Sequence, residues 1–302
     1  MPSEWHGTIL EEATASSQRI APRTRDMYLR RVQSFIKFAG ASPHAWTPIT
    51  VEKWRDSMLA SGLQPKTANL YISALQFAAK RMERLGKGAD FVRAAERARV
   101  DLVTEPPDSL TRAQCSRLLQ SIGSGSPPDI RDKALILVAL HCAFRRAELC
   151  SISFDEIRGR RIRVIAKGRR VHTVTCSNEA WEALQAWVAW LRKRGISSGP
   201  VFRSLRSSID DDPWIVGDGL TPDGFAYILR ERGAAANVKD LRPHRLRHTY
   251  ASLALEAGIP SWKIKQVLGH KTDTMLQRYS HDLDPQGTAE GLGNLTDDEG
   301  NQ

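Results

Sequence analysis

Two adjacent prolines, Pro106 and Pro107 in TEPPD, constrain this chain more than any other feature. Proline fixes φ and lacks an amide hydrogen, so the pair resists helix and strand alike. It divides 302 residues, a length suited to two ordinary domains, into two folding blocks. Before the break the apolar spacing is helical. TRDMYLRRVQSFIKFAG places Tyr28, Val32, Phe35, Ile36 and Ala39 at helical intervals, with Gly40 to end the helix. TVEKWRDSMLASG sets Trp54 and Met58 one turn apart. PKTANLYISALQFAAKRMERLG lines up Ala68, Tyr71, Ile72, Leu75, Ala79 and Met82 between an opening Pro65 and a closing Gly86. The basic residues of these helices, among them Arg30, Arg31, Lys37, Lys66, Lys80 and Arg81, stay off the stripe.

After the break the pattern becomes mixed. LTRAQCSRLL opens a helix with a capping box from Thr111 and Gln114 and with Leu110 placed as a hydrophobic staple. DKALILVALHCAF is apolar enough for a buried helix, and NEAWEALQAWVAWLRKRG ends in cations and Gly195, as a helix C-terminus prefers. Between them, RIRVIAKGRRVHTVTC alternates Ile162, Val164 and Ala166 before a KGRR turn and Val174 and Cys176 after it, which predicts a β-hairpin with Lys167 at its tip. SSIDDDPWIVGDG is expected to be a loop whose acids are solvated. The expected fold is mainly α with a small β-sheet. Its boundaries are a helical domain over 1–86, a linker over 87–107, a second domain over 108–284 and an acidic tail over 285–302.

Charge narrows the partner. Lys and Arg number 44 against 34 Asp and Glu, a formal +10, with a pI near 9.7. Six acids and no Lys or Arg follow His281, so the body before them carries +16. A surplus of that size suits a polyanion, nucleic acid first and an anionic membrane surface second; a merely soluble basic protein is the competing reading of charge alone. No apolar run approaches the ~20 residues a membrane span needs. MPSEWHGTILEE lacks the basic-then-apolar order of a signal peptide, so a cytoplasmic protein is expected. Cys115, Cys142, Cys150 and Cys176 fall into no metal-binding spacing and read as reduced packing residues.

The densest cationic stretch is HRLRH at 244–248. On one helix the 100° step gathers His244, Arg247 and His248 within an arc of about 100°, opposite Leu246, Tyr250, Leu253 and Ala257. Arg245 belongs to neither group. Three cations thus share a face expected to point away from the core. Gly258 and Pro260 end that helix, and PSWKIKQVLG begins another that buries Ile264, Val267 and Leu268 before Gly269 ends it and frees His270. Taken alone, SLALEAGIPSWKIKQVLG also fits a helix-turn-helix DNA reader. Tyr279 follows nine residues after His270.

In this order and at this spacing, PHRLRHTYAS, VLGHKT and RYSH resemble the C-terminal signature of the tyrosine recombinases of the phage integrase family, His-x-x-Arg-His, then Leu-Gly-His, then Tyr. Upstream, CAFRRAELCSI is similar to the segment bearing the family's first arginine. The family's Arg-x-x-Glu-Leu register, met by Glu148 and Leu149, selects Arg145 over Arg146. AKGRRVHTV is similar to the family's hairpin, with its lysine at Lys167, and the N-terminal helices resemble its core-binding domain. The resemblance covers roughly residues 15–282. It departs at Cys142 and Ala143, where the family usually has Thr-Gly, at Arg146, where a small aliphatic is usual, and at Thr175, where proline is usual.

The resemblance implies an α-helical, SAM-like core-binding bundle and a mixed α/β catalytic domain that together clamp duplex DNA. It implies a catalytic set of Arg145, Lys167, His244, Arg247, His270 and the nucleophile Tyr279. Contacts to DNA would come from Arg30, Arg31, Lys66, Lys80, Arg169 and Arg170. Double-stranded recombination sites are the expected partner, bound by a homotetramer across two sites, with no cofactor and no metal. With only a short stretch before the first helix, the arm-binding domain of larger integrases is not expected. DNA would be cut and rejoined through a 3′-phosphotyrosyl intermediate, for integration or excision of a mobile element or for resolution of dimers.

The residue types suit that chemistry. Planar, always-charged arginines fork around non-bridging phosphate oxygens, and His270 adds a donor. His244 or another group at the phosphate takes the tyrosine proton, and Lys167 protonates the departing 5′-oxygen. Two other readings use part of this set: a catalytically silent DNA-binding or architectural protein of the same fold, and a type IB topoisomerase-like nicking-closing enzyme. Retention of all six positions argues against the first.

Overall fold

The computed structural model describes residues 5–18, 20–84, 97–98, 108–123, 125–166, 170–207 and 214–269. The chain forms two compact units, Met1–Val103 and Thr104–Gln302. The division falls within the 87–107 stretch that contains the paired prolines.

In the first unit, four helices are described: α1 (Trp5–Ala15), α2 (Pro22–Ala39), α3 (Pro48–Ala60) and α4 (Pro65–Arg84). Proline opens the last three, where its missing amide hydrogen has no partner to lose, and Thr47 caps α3 by accepting from the Thr50 amide. The stripes meet as the spacing predicts. Val32 and Phe35 of α2, Val51, Trp54 and Met58 of α3, and Ala68, Ile72, Leu75, Ala79 and Met82 of α4 share one core. Phe35 packs edge-on to Trp54 with ring centroids 5.1 Å apart. Gly40 ends α2 at φ 84°, and its carbonyl accepts from Trp46 Nε1 at 2.8 Å. Helix α1 was not expected from the periodicity. Leu10 and Ala13 bring it into the core, too few apolar positions to read as a stripe. Past α4, the Asn69 side chain donates to the Ala98 carbonyl and accepts from the Ala98 amide, at 2.9 and 3.0 Å, holding residues 97–98 on that helix.

The second unit is built on α6 (Pro127–Cys142), buried almost without interruption from Arg131 to Cys142. Before it, α5 (Arg112–Gln120) begins with the expected capping box of Thr111 and Gln114, and Leu110 is buried. After it come the short α7 (Arg146–Cys150), β1 (Ile157–Arg158), β2 (Arg161–Ala166), β3 (Arg170–Thr175) and α8 (Asn178–Lys193), which packs along α6. The chain continues through β4 (Arg203–Ser207), β5 (Trp214–Gly219), α9 (Pro222–Ala235), α10 (Pro243–Glu256) and α11 (Ser261–Leu268). Strands β1, β2 and β3 form an antiparallel sheet. Ile162 pairs with Val174 and Val164 with His172, so that Ile162, Val164 and Val174 face the core.

The expected loop over SSIDDDPWIVGDG is partly strand. Residues 214–219 form β5 and pair antiparallel with β4. Two glycines in six residues hide the strand from a propensity reading, yet each permits a close approach. A Cβ on Gly217 would lie 2.4 Å from Ser204 Oγ, and one on Gly219 would lie 3.0 Å from the Pro200 ring. Leu205 and Val216 anchor the ribbon on the core.

A charge network ties the start of α6 to α9 and β4. Asp132 Oδ1 accepts from Arg131 and Oδ2 from Arg232, each at 2.8 Å; Asp129 takes a second Arg232 donor at 2.7 Å, and Arg131 Nη1 donates to the Arg203 carbonyl. Buried charges are held only when paired in this way.

Candidate active site

Segments far apart in the sequence meet at the first turns of α10. Its Arg247, expected on a face turned from the core, is instead buried, at 5% exposure. Nη1 donates to the Ala143 carbonyl and Nη2 to the Leu268 carbonyl. Both acceptors lie at helix C-termini, where unpaired carbonyls carry partial negative charge. Ala143 caps α6 in the left-handed region at φ 49°, and Leu268 is the last residue of α11 before Gly269 at φ 60°. A permanently charged planar fork satisfies two such ends at once. The left-handed conformation also explains why glycine is usual at the position Ala143 occupies here.

Two residues after Ala143, Arg145 caps α7. Its amide hydrogen is accepted by Glu148 Oε2 at 2.9 Å, and its Nη1 donates to Glu148 Oε1 at 2.8 Å. Glu148 is buried, whereas the Arg145 side chain is 41% exposed, so a buried acid aims a solvent-facing cation. Arg146 reaches Asp223 of α9 instead, at 3.4 Å.

His244 lies one turn before Arg247 and is exposed. Its ring meets that of His248 edge-on, centroids 4.4 Å apart. Partial loss of hydration, then Arg247, Arg242 and Arg145, lower its pKa below the ordinary histidine value, so Arg145 belongs to its electrostatic neighbourhood. His248 is pushed down to about 4, by burial first and then by His244 and Arg247, with Asp108 opposing. A base whose pKa falls on folding binds protons more weakly in the native than in the unfolded state. The His248 contribution to stability is therefore complete above about pH 6.5 and is lost as pH falls toward about 4. Urea midpoints measured between pH 7.5 and 4.5 should fall less with pH in His248→Gln than in the unsubstituted protein; parallel pH profiles would contradict this.

Arg245 turns aside, as its helical angle predicts. Its Nε lies 2.8 Å from Asp108 Oδ1, while Arg242 Nη2 donates to Asp108 Oδ2 at 2.6 Å. Tyr250, on the apolar face, is buried, and burial raises its phenol pKa, which makes it a packing residue. The four cysteines are free and buried, with Cys142 Sγ 3.4 Å from Cys176 Sγ.

The structure thus brings Arg145, His244 and Arg247 into one neighbourhood, with His248 behind them. Lys167, Arg169, His270 and Tyr279 lie outside the described residues. Among the basic residues assigned to DNA, Arg30, Lys66, Lys80 and Arg170 are exposed. Arg31 is half-buried; it donates to the Leu70 carbonyl at 3.3 Å and lies 5.2 Å from the Tyr71 ring centroid. No described helix is long and apolar enough to cross a membrane.

Comparison with known proteins shows the family. Residues 108–285, more than half of the chain, match the phage integrase family. The chain is 28% identical to the tyrosine recombinase XerC of Chromohalobacter salexigens over 289 residues, covering 91% of each chain. It is 26% identical to XerC of Haemophilus influenzae over 277 residues, covering 87% of this chain and 88% of the relative. Among solved structures, it is similar to a lambda integrase fragment (75–356) dimer bound to a COC′ core site, at a TM-score of 0.70 and 16% identity over 93% of this chain and 98% of that one. It is also similar to the XerH site-specific recombinase bound to a palindromic difH substrate in a post-cleavage complex, at a TM-score of 0.71 and 15% identity over 92% and 91% of the two chains. The mainly α fold with a small β content is shared with these structures, and the chain belongs to the phage integrase family, the tyrosine recombinases.

Proposed function

We propose that this tyrosine recombinase cuts duplex DNA at a specific site through a 3′-phosphotyrosyl bond on Tyr279 and rejoins it to a partner strand. The observation that carries the reading is the seat of Arg247, pinned between two helix ends one turn from His244, with Arg145 aimed by Glu148 beside them. Arg145 and Arg247 stabilise the charge that grows on the non-bridging phosphate oxygens. A lowered pKa keeps His244 neutral near pH 7, which suits a group that takes a proton as the tyrosine attacks. His270 donates to the same phosphate, and Lys167 gives its proton to the departing 5′-oxygen. The bond energy is stored in the phosphotyrosine, so a 5′-hydroxyl from a second site can reverse the step without a nucleotide cofactor.

Four copies acting on two sites complete the exchange. The exposed Arg30, Lys66, Lys80 and Arg170 hold the DNA backbone, giving binding that weakens steeply with salt. The test uses nicked duplexes made from the DNA flanking the gene. On a denaturing gel the protein is expected to form a covalent DNA adduct that is lost in Tyr279→Phe. An adduct that survives the substitution overturns the proposal.

A further inference from the structure

His172 has no place in the catalytic set, yet it is held by distant residues near the tip of the β2–β3 hairpin. Its Nε2 donates to the Val267 carbonyl at 2.9 Å. Its ring stands edge-on to Phe144, centroids 6.1 Å apart at 89°. On a third side it faces Gly269, where an added Cβ would be 3.7 Å from the imidazole. These contacts fall on the two segments that hold Arg247. Phe144 follows Ala143, and Val267 precedes Leu268, the two residues whose carbonyls take the Arg247 guanidinium. His172 and Arg247 therefore fasten onto the same pair of helix ends from different elements.

The position within the hairpin gives this a consequence. His172 pairs with Val164, which is buried. The next pair toward the tip, Ile165 with Val171, is 59% and 60% exposed. Among the described residues, Val164 and His172 are thus the last pair before the tip with a buried member. Lys167 directly follows Ala166, the last residue of β2. Farther back, Ile162 and Val174 hold the base of the hairpin in the core independently of His172.

We propose that His172 is a positioning residue: it docks the hairpin on the frame that seats Arg247 and so delivers Lys167 to the leaving oxygen. The inference rests on the reading of Lys167 as the acid. In that step the Tyr279 oxygen bonds to phosphorus as its proton passes to His244, the bond from phosphorus to the 5′-oxygen breaks, and a Lys167 proton moves to that oxygen. When sulfur replaces the bridging 5′-oxygen, the thiolate departs without needing a proton. A hairpin fault then ceases to matter, while a fault in phosphate binding still does.

The experiment measures single-turnover cleavage of nicked duplexes of the sequence recovered from the covalent adduct, with oxygen or sulfur at the bridging position. His172→Phe keeps the ring and removes the donor. It should cleave the oxygen substrate about 10–100-fold more slowly, the size of effect that a misplaced catalytic group produces, and should cleave the sulfur substrate within about twofold of the unsubstituted protein. His172→Gln, which can still donate to the Val267 carbonyl, should recover most of the loss, and Arg247→Lys should be slow on both substrates. His172→Phe equally slow on both, or slow on neither, overturns the inference. If Lys167→Ala is not rescued by sulfur, the acid reading beneath it fails as well. If Lys167→Ala is rescued and His172→Phe is not, the inference fails alone. Melting curves of the variants accompany the rates, and a slow His172→Phe that has lost its folded transition counts against positioning.

Discussion

Arg247→Ala should slow strand cleavage by about 10²–10³-fold, the usual loss when one preorganised donor to a developing oxyanion is removed. The same substitution should lower stability by about 1–3 kcal/mol, because the Ala143 and Leu268 carbonyls lose their shared donor. The two effects separate in Arg247→Lys. An ammonium is a point donor that cannot bridge two carbonyls and fork a phosphate at once. Lysine should therefore restore part of the stability while cleavage stays close to the alanine level. Single-turnover cleavage and urea melts on both variants check this. Cleavage by Arg247→Ala within tenfold of the unsubstituted protein would make Arg247 a structural tie alone.

Asp132→Ala should cost about 3–5 kcal/mol of folding stability with no part in the chemistry, because it leaves the buried Arg131 without its carboxylate and takes one of two acids from Arg232. Asp129→Ala should cost less. Its side chain is 20% exposed against 5% for Asp132, and Arg232 keeps Asp132. Burial works to raise the Asp129 pKa, but the Ser126 hydroxyl and the Arg232 guanidinium outweigh it and hold the carboxyl below its ordinary range. Urea midpoints for the pair test the ranking. Equal losses, or a loss under about 1 kcal/mol for Asp132→Ala, would mean that the network behaves as a solvated surface one.

Local patterns were legible in the sequence wherever one element decides them. The stripes of α2, α3 and α4, the capping box at Thr111 and the glycine ends at Gly40 and Gly269 depend on neighbours a few residues away, and they stand where the spacing puts them. What escaped depends on distant partners. Helical angle put Arg247 on a solvent-facing arc, but the carbonyls that bury it belong to residues 104 and 21 positions away. The acids nearest HRLRH in sequence are Asp240 and Glu256, yet the carboxylate that holds Arg242 and Arg245 is Asp108. Strand β5 escaped because its glycines, which weaken a strand in isolation, are what let it approach Ser204 and Pro200. Helix α7, at five residues, is too short to show a period at all. In the candidate site, chemistry-bearing residue types and their order announced the family, while the seating of Arg247 between two helix ends and the edge contact of His172 needed the fold.

The end chemistry of the covalent adduct decides whether Tyr279 is the nucleophile. The protein is trapped on a nicked duplex, the adduct is digested with protease, and both DNA ends at the break are identified. The expected result is a 3′-phosphate linked to a peptide containing Tyr279 and a free 5′-hydroxyl that a polynucleotide kinase can label. A peptide attached to the 5′ end, or one mapping to any other residue, would contradict it.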